Sequence, residues 1–276
     1  MIKQVFLFVA FLLVNTGVFA QKDTYDQLKT QYDSLRKAQN YESALLVAKQ
    51  MNTWALEYET DTSLRYAVSL RYVGNIFDKL ELADSALYYW DKSLAALSVQ
   101  GRSESEYAAK CYFNKGILYS NKYDYEIAIK NYEISLLIFK QTLGEEHPDY
   151  ASSLNNLGIL YYEMRDYKAA EPYYKQALEI RKKALGEEHP DYASSLNNLG
   201  ILYSDMGDYK AAEPYYKQAL EIRKKALGEE HPDYASGLNN LGSLYSDMGD
   251  YKAAEPYYKQ ALEIRKKALG EEHPDY

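Results

Sequence analysis

Residues 144–185 read GEEHPDYASSLNNLGILYYEMRDYKAAEPYYKQALEIRKKAL, and the chain then repeats the stretch twice. Residues 186–227 differ at three places, with Ser204, Asp205 and Gly207 standing where the first copy has Tyr162, Glu163 and Arg165. Residues 228–269 keep those changes and add two, Gly237 in place of Ser195 and Ser243 in place of Ile201. The period is 42 residues, and it extends backwards into sequence that looks different. Gly158, Gly200 and Gly242 are preceded in register by Gly116 and Gly74, and Ala170, Ala212 and Ala254 by Ala128, Ala86 and Ala44. Phe77, Tyr119, Tyr161, Tyr203 and Tyr245 form a third series, and Trp90, Tyr132, Tyr174, Tyr216 and Tyr258 a fourth. Six units fit one register, from about Asp23 to Leu269. A fixed period of this length marks a solenoid or array, not a conventional globule.

Each unit carries two helical patterns. Leu154, Leu157, Gly158 and Tyr161 share one face, and Ala170, Tyr174, Ala177, Leu178 and Leu185 another, so a unit is a pair of amphipathic helices. His147-Pro148-Asp149 opens the first: proline loses nothing in a first turn whose N–H has no intrahelical partner, and Asp149 meets the positive end of the dipole. Asp166 is the N-cap expected for the second helix, with Gly207 and Gly249 in the preceding turn of the later units, where a left-handed backbone suits glycine. Arg181-Lys182-Lys183 reads as a solvated helix end, balanced by Glu187 and Glu188 and stopped by Gly186. Pro172, with Pro214 and Pro256, conflicts with this scheme. Lying inside the second helix, it removes a backbone bond and crowds the carbonyl of Lys168, which predicts a bend or an irregular first turn.

The order Leu154, Leu157-Gly158, Tyr161, Ala170, Tyr174, Ala177 resembles the tetratricopeptide repeat signature, with Leu at the first position in place of the usual large aromatic. The 42-residue length and the string from Gly144 to Gly158 are similar to the long repeats of kinesin light chains and their bacterial relatives. The resemblance covers roughly residues 23–276 and is closest after His147. It implies an all-α fold, a right-handed superhelical solenoid of antiparallel helix pairs, in which stacking buries faces that a single pair leaves open. Residues 21–60 are the first, diverged pair and a possible N-terminal cap, since Tyr32 stands where later units have Gly and Ala48 where they have an aromatic. Residues 61–143 hold two diverged units, 144–269 three near-identical ones, and 270–276 the start of a seventh.

The family pattern places the first helix of each unit on a concave wall, which assigns a peptide-binding groove to residues between the core positions. These are Ser152, Asn155, Ile159 and Tyr162, then Ser194, Asn197 and Ile201, then Ser236 and Asn239. Asn155, Asn197 and Asn239 make a ladder of amides able to donate to and accept from an extended peptide backbone. Asn is a mediocre helix former, so three copies point to a use, although recent duplication also repeats whatever the parent carried. Arg71 and Phe113 occupy the equivalent positions in the diverged units and give the groove a second chemistry. Tyr162 and Tyr173 could alternatively face solvent and stack on sugars, a glycan-binding reading ranked below protein binding.

Composition removes other functions. The 276 residues carry 32 Lys+Arg against 40 Asp+Glu, a formal charge of -8 that offers phosphate backbones no attraction, so nucleic acid is not an expected partner. Cys111 is the single cysteine and reads as packing. His147, His189, His231 and His273 recur once per unit. Packed helices lie about 8–10 Å apart and a zinc–nitrogen bond is about 2 Å, so these histidines cannot share a metal and read as caps. No phosphate-cradling loop, metal cluster or nucleophile–base pair appears, so the expectation is no catalytic residue, no cofactor and no enzyme.

The N-terminus has its own logic. Lys3 precedes the apolar run Val5–Val14, and Val18-x-Ala20 offers a peptidase site, so residues 1–20 read as a cleavable signal peptide cut after Ala20. The run is about ten residues, short of the roughly 20 that span a bilayer. Removing it takes away Lys3 and no acid, leaving 31 bases (32 − 1) against 40 acids, a net -9. The expected location is exported, periplasmic or extracellular, in a bacterium, with membrane contact only through the signal or a downstream segment. Because residues 270–276 stop before the first helix of their unit, the sequence also suggests a larger parent protein. The resemblance implies a CHAT-type peptidase or a membrane signalling kinase as its effector.

Overall fold

A computed structural model describes residues 19–269, with side chains from 24 to 268. The start of a seventh unit lies outside the described residues, as does nearly all of the export segment. Twelve α-helices and no strand occur among the described residues. They are α1 (Phe19–Lys37), α2 (Tyr41–Tyr58), α3 (Leu64–Lys79), α4 (Ala83–Val99), α5 (Glu106–Asn121), α6 (Tyr125–Leu143), α7 (Pro148–Glu163), α8 (Tyr167–Leu185), α9 (Pro190–Asp205), α10 (Tyr209–Leu227), α11 (Pro232–Asp247) and α12 (Tyr251–Leu269). Turns of three residues join the two helices of a pair, which makes them antiparallel. The chain forms two structural units, with the boundary inside α5 after Leu118.

The repeat is written in the backbone as well as in the side chains. Gln39, Glu81, Tyr123, Arg165, Gly207 and Gly249, spaced by one period, all adopt positive φ, at 56°, 60°, 62°, 61°, 77° and 79°. Every pair is thus turned by a left-handed residue, and four of the six are not glycine.

In the second unit, His147 Nδ1 accepts from the backbone N–H of Asp149 at 3.0 Å, and His189 and His231 do the same at 3.1 Å, so the recurrent histidines are N-caps. Asp166, Asp208 and Asp250 cap the second helices through Ala169, Ala211 and Ala253 at 3.1, 3.1 and 3.0 Å. Gly186 and Gly228 end α8 and α10 at φ 87° and 89°. Of the bend or irregular first turn expected from Pro172, the irregular turn does not occur: the Asp166 carbonyl accepts from Ala169 and Ala170, and α8 runs unbroken from Tyr167 to Leu185 with Pro172 inside it.

Within four of the pairs the helices approach at glycine. A Cβ on Gly158 would lie 2.7 Å from the Tyr174 ring, one on Gly200 2.7 Å from Tyr216, and one on Gly242 2.9 Å from Tyr258. Gly74 stands 2.6 Å from Trp90 by the same measure in the first unit. Leu154, Leu157, Ala170, Tyr174, Ala177 and Leu178 are buried as expected, and so are Tyr150, Ala151 and Leu160 on other faces of α7. In the first unit Tyr32 and Ala48 are both fully buried in one cluster with Val47, Met51, Val73 and Ile76. There the bulk comes from the first helix and the small residue from the second, the reverse of the later pairs.

A left-handed backbone costs a non-glycine residue about 1–2 kcal/mol, and glycine loses roughly 0.5–1 kcal/mol through unfolded-state entropy. Arg165→Gly is therefore expected to stabilise the chain by about 0.5–1 kcal/mol, and Gly207→Arg to destabilise it by a similar amount. Urea unfolding monitored by circular dichroism checks both signs.

Candidate functional site

The first helices of successive pairs, α7, α9 and α11, lie side by side, and residue i of one meets residue i+43 of the next. Asn198 Nδ2 donates to Asn155 Oδ1 at 3.0 Å, and Asn240 Nδ2 to Asn197 Oδ1 at 2.7 Å. Asn155 and Asn197 are 7% and 9% exposed, while Asn239 is half-buried. The amide ladder expected to serve a ligand is corrected to this extent: the two Oδ1 atoms are occupied by the neighbouring unit, leaving Nδ2–H as the group on offer. Duplicated adjacent asparagines provide donor and acceptor together. Ser152, Ser194 and Ser236 turn their hydroxyls onto the carbonyls of Pro148, Pro190 and Pro232 at 3.0, 3.1 and 3.1 Å. Their hydrogens are spent within their own helices.

The remaining predicted residues are half-buried. Ile159 and Ile201 pack at the margin of the core, and Tyr162 donates its hydroxyl to Asp205 Oδ2 on the next first helix at 2.5 Å. Burial, followed by that bond, pushes the Tyr162 phenol above its ordinary value. Tyr173 stacks on Tyr161 with centroids 5.5 Å apart, as Tyr215 does on Tyr203 at 5.7 Å and Tyr257 on Tyr245 at 5.6 Å. Tyr203 donates to Glu171 Oε1 at 2.6 Å and Tyr245 to Glu213 at 2.7 Å, joining one pair to the next. The tyrosines considered for sugar stacking are thus engaged within the protein.

Arg181 departs from its reading as a solvated helix end. It is 8% exposed, donates through Nη1 to Ser195 Oγ at 2.8 Å and to the Asp191 carbonyl at 3.2 Å, and burial holds its pKa below the ordinary value. Arg223 reaches the Asp233 carbonyl at 3.3 Å, but Gly237 occupies the place of Ser195 and offers no hydroxyl. The second asparagine of each pair carries a signal that a single unit does not show, the spacing of one period plus one residue to its acceptor.

The first unit holds a different arrangement. Arg71, on α3, lines a cavity of about 290 Å³ with Tyr32, Tyr72, Asn75, Trp90 and Asn114 among its walls. The Arg71 guanidinium lies over the Tyr72 ring, 4.8 Å from its centroid. Trp90 Nε1 and Asn114 Nδ2 both donate to Asn75 Oδ1, at 2.9 and 2.7 Å. Phe113 is half-buried on α5. Cys111 is fully buried against Ser93, and burial pushes its thiol up to about 11, which leaves no thiolate for chemistry. Among the described residues no His, Cys, Asp or Glu cluster could hold a metal ion, and no helix is long and apolar enough to cross a membrane.

A tetratricopeptide repeat family model matches residues 114–183, 166–225 and 205–267. No curated protein matches the chain. Among solved structures, BtubC (BKLC) from P. vanneervenii is 25% identical with a TM-score of 0.70, over 90% of this chain and 94% of that one. TPR-like repeats of kinesin-light-chain type from Podosopora anserina are 23% identical with a TM-score of 0.61, over 76% and 99%. Pseudomonas Aeruginosa pilF is 20% identical with a TM-score of 0.61, over 91% and 95%.

Removing the Asn155 side chain strands a half-buried donor on Asn198, whereas no described residue bonds the Asn239 amide. Asn155→Ala is expected to cost about 1–3 kcal/mol and Asn239→Ala less than about 0.5 kcal/mol, measured by chemical denaturation.

Proposed function

This chain belongs to the tetratricopeptide repeat family, and we propose that it is an exported scaffold whose first-helix faces hold an extended segment of a protein partner. Members of the family are generally non-catalytic scaffolds that bind proteins, and this chain is such a scaffold. The observation that carries the groove reading is a stripe repeated on α7 and α9: a half-buried isoleucine, Ile159 or Ile201, one turn from an asparagine whose Oδ1 is taken. The apolar patch supplies contact area, and Nδ2–H supplies a donor for a peptide carbonyl. Adjacent helices step by about 8–10 Å, close to three residues of extended chain at roughly 3.3 Å each, so successive units would meet every third residue. Tyr162 closes the stripe at one end.

Export rests on Lys3, the apolar run Val5–Val14 and the Val18-x-Ala20 site. A second reading, recruitment for a larger signalling or proteolytic protein, draws on the last helix pair. Tyr251 and Leu262 of α12 are 71% and 49% exposed, a surface that a further helix would cover.

Two experiments test these readings. Unit six already carries Ser243 where earlier units have isoleucine, so Ile159→Ser with Ile201→Ser should preserve the fold. The double variant is expected to bind at least tenfold more weakly to the peptides that the wild-type chain selects from an immobilised array, and unchanged binding removes the stripe from the site. Intact mass spectrometry of the protein expressed in a bacterial host should give Gln21 as the mature N-terminus in the periplasm; an uncut cytoplasmic chain overturns export.

A further inference from the structure

Helices α8, α10 and α12 share one sequence of 19 residues, and among the described residues the first two are each covered by the next first helix while α12 is open. What this sequence binds when covered can therefore be read twice and compared with what it leaves exposed once. Tyr174 and Tyr216 are buried, whereas Tyr258 is 37% exposed. Leu178 is buried, whereas Leu262 is half exposed. The open patch on α12 continues the interface that α9 makes on α8 and α11 makes on α10.

Polar groups mark the same opening. Glu171 and Glu213 each accept from a tyrosine of the next first helix, Tyr203 and Tyr245, whereas among the described residues Glu255 is bonded by Lys259 of its own helix, at 2.5 Å. The Oδ1 atoms of Asn155 and Asn197 accept from the asparagine one unit on, and no described residue bonds the equivalent Asn239. Arg181 and Arg223 donate to the carbonyls of Asp191 and Asp233 in the next first turn, and Arg265 stands in their place on α12. Lys182 and Lys224 pair with Glu187 and Glu229 in the loop that leads into the next helix, and Lys266 is their counterpart.

The two covered interfaces specify the guest. On α11, Tyr234, Leu238, Leu241 and Leu244 fill the apolar patch, while Asn240 and Tyr245 bring the donors. Tyr192, Leu196, Leu199, Leu202, Asn198 and Tyr203 take the same six places on α9. A helix with the leucines but without the asparagine and tyrosine would cover Asn239 and Glu255 and leave both unpaired, which costs binding energy that a matching helix retains. The free face of α1 does not match. It presents Thr30, Gln31 and Ser34, all exposed, at the places where the guest carries its asparagine and two of its leucines. Stacking α1 of a second copy on α12 would set polar side chains on the apolar patch.

We propose that the open face of α12 is a receptor for the first helix of a repeat of this same type, carried by another protein, so that two arrays join end to end through the bonds that join units within one. The asparagine and tyrosine donors select the partner, and the leucines supply the contact area. The inference rests on the open last pair, the premise of the recruitment reading, and is independent of the groove.

The probe is a fluorescent peptide of residues 228–247, GEEHPDYASGLNNLGSLYSD, used both plain and with a hydrocarbon staple between positions 239 and 243 that holds it helical. Fluorescence anisotropy with the full chain is expected to show saturable binding. The same peptide with Asn240→Ala and Tyr245→Phe should bind at least tenfold more weakly. Leu262 and Glu255 are exposed, so Leu262→Glu and Glu255→Ala should keep the thermal midpoint of the chain while lowering its affinity for the probe at least tenfold and threefold. No binding of either probe overturns the receptor, as does an affinity that the substituted peptide or both α12 variants leave unchanged. Binding that appears only after residues 270–276 are removed places that segment on α12 and overturns the partner. A dimer of the chain in sedimentation that Leu262→Glu dissolves puts a second copy there and does the same. Ile159→Ser with Ile201→Ser should leave the affinity for the probe unchanged, so failure of the groove reading and failure of this one are told apart.

Discussion

The close approach of two helices at a glycine, with an aromatic ring filling the gap from the other side, is the contact on which the rest depends. It fixes how far apart the helices of a pair stand, and therefore what each pair presents to the next. The ring sits where a single added methyl group would collide, so the spacing has little freedom. Capping by His147 and its equivalents, the left-handed turn and the Asp166 cap then set where each helix begins, and the side chains between them fall into register. The first pair shows that the volume matters more than its source. With Tyr32 on one helix and Ala48 on the other, the space is filled from the opposite direction and the core still closes.

Polar residues join one pair to the next. Each link in the second unit uses a side chain that a periodic reading assigns to a solvated surface: the second asparagine on the first asparagine, Tyr203 on Glu171, Arg181 on Ser195. The Arg181–Ser195 bond is buried and the other two are partly so, and each costs stability when one partner is lost. The three nearly identical copies differ at few positions, and those differences act on the links. Gly237 removes the hydroxyl that Arg181 uses one unit earlier, and Ser204 stands where Tyr162 makes its bond to Asp205.

Much of the fold was legible. Period, helix pairing, histidine and aspartate caps and glycine stops all follow from local physics, because duplication repeats each signal and the copies agree. Pro172 leaves the first turn regular because the Asp166 cap sets that turn independently of the proline six positions on. The site was less legible. A helical projection of one unit cannot show that residue i meets residue i+43, so the engaged oxygens of Asn155 and Asn197 are hidden from it. Arg181 was misplaced for the same reason, since its burial is created by the following unit.

Near-identity of the last three units also poses a problem during folding. A newly made first helix meets several surfaces carrying the same amides, rings and cations, and docking one period out of place satisfies most of the same bonds. Arg181 donates to Ser195 of the next pair, and one period further on that place is Gly237, which has no hydroxyl, so docking out of place forfeits the bond. That single hydroxyl works as an address label in a chain of nearly interchangeable parts, raising the energy of the misthreaded arrangement relative to the native one.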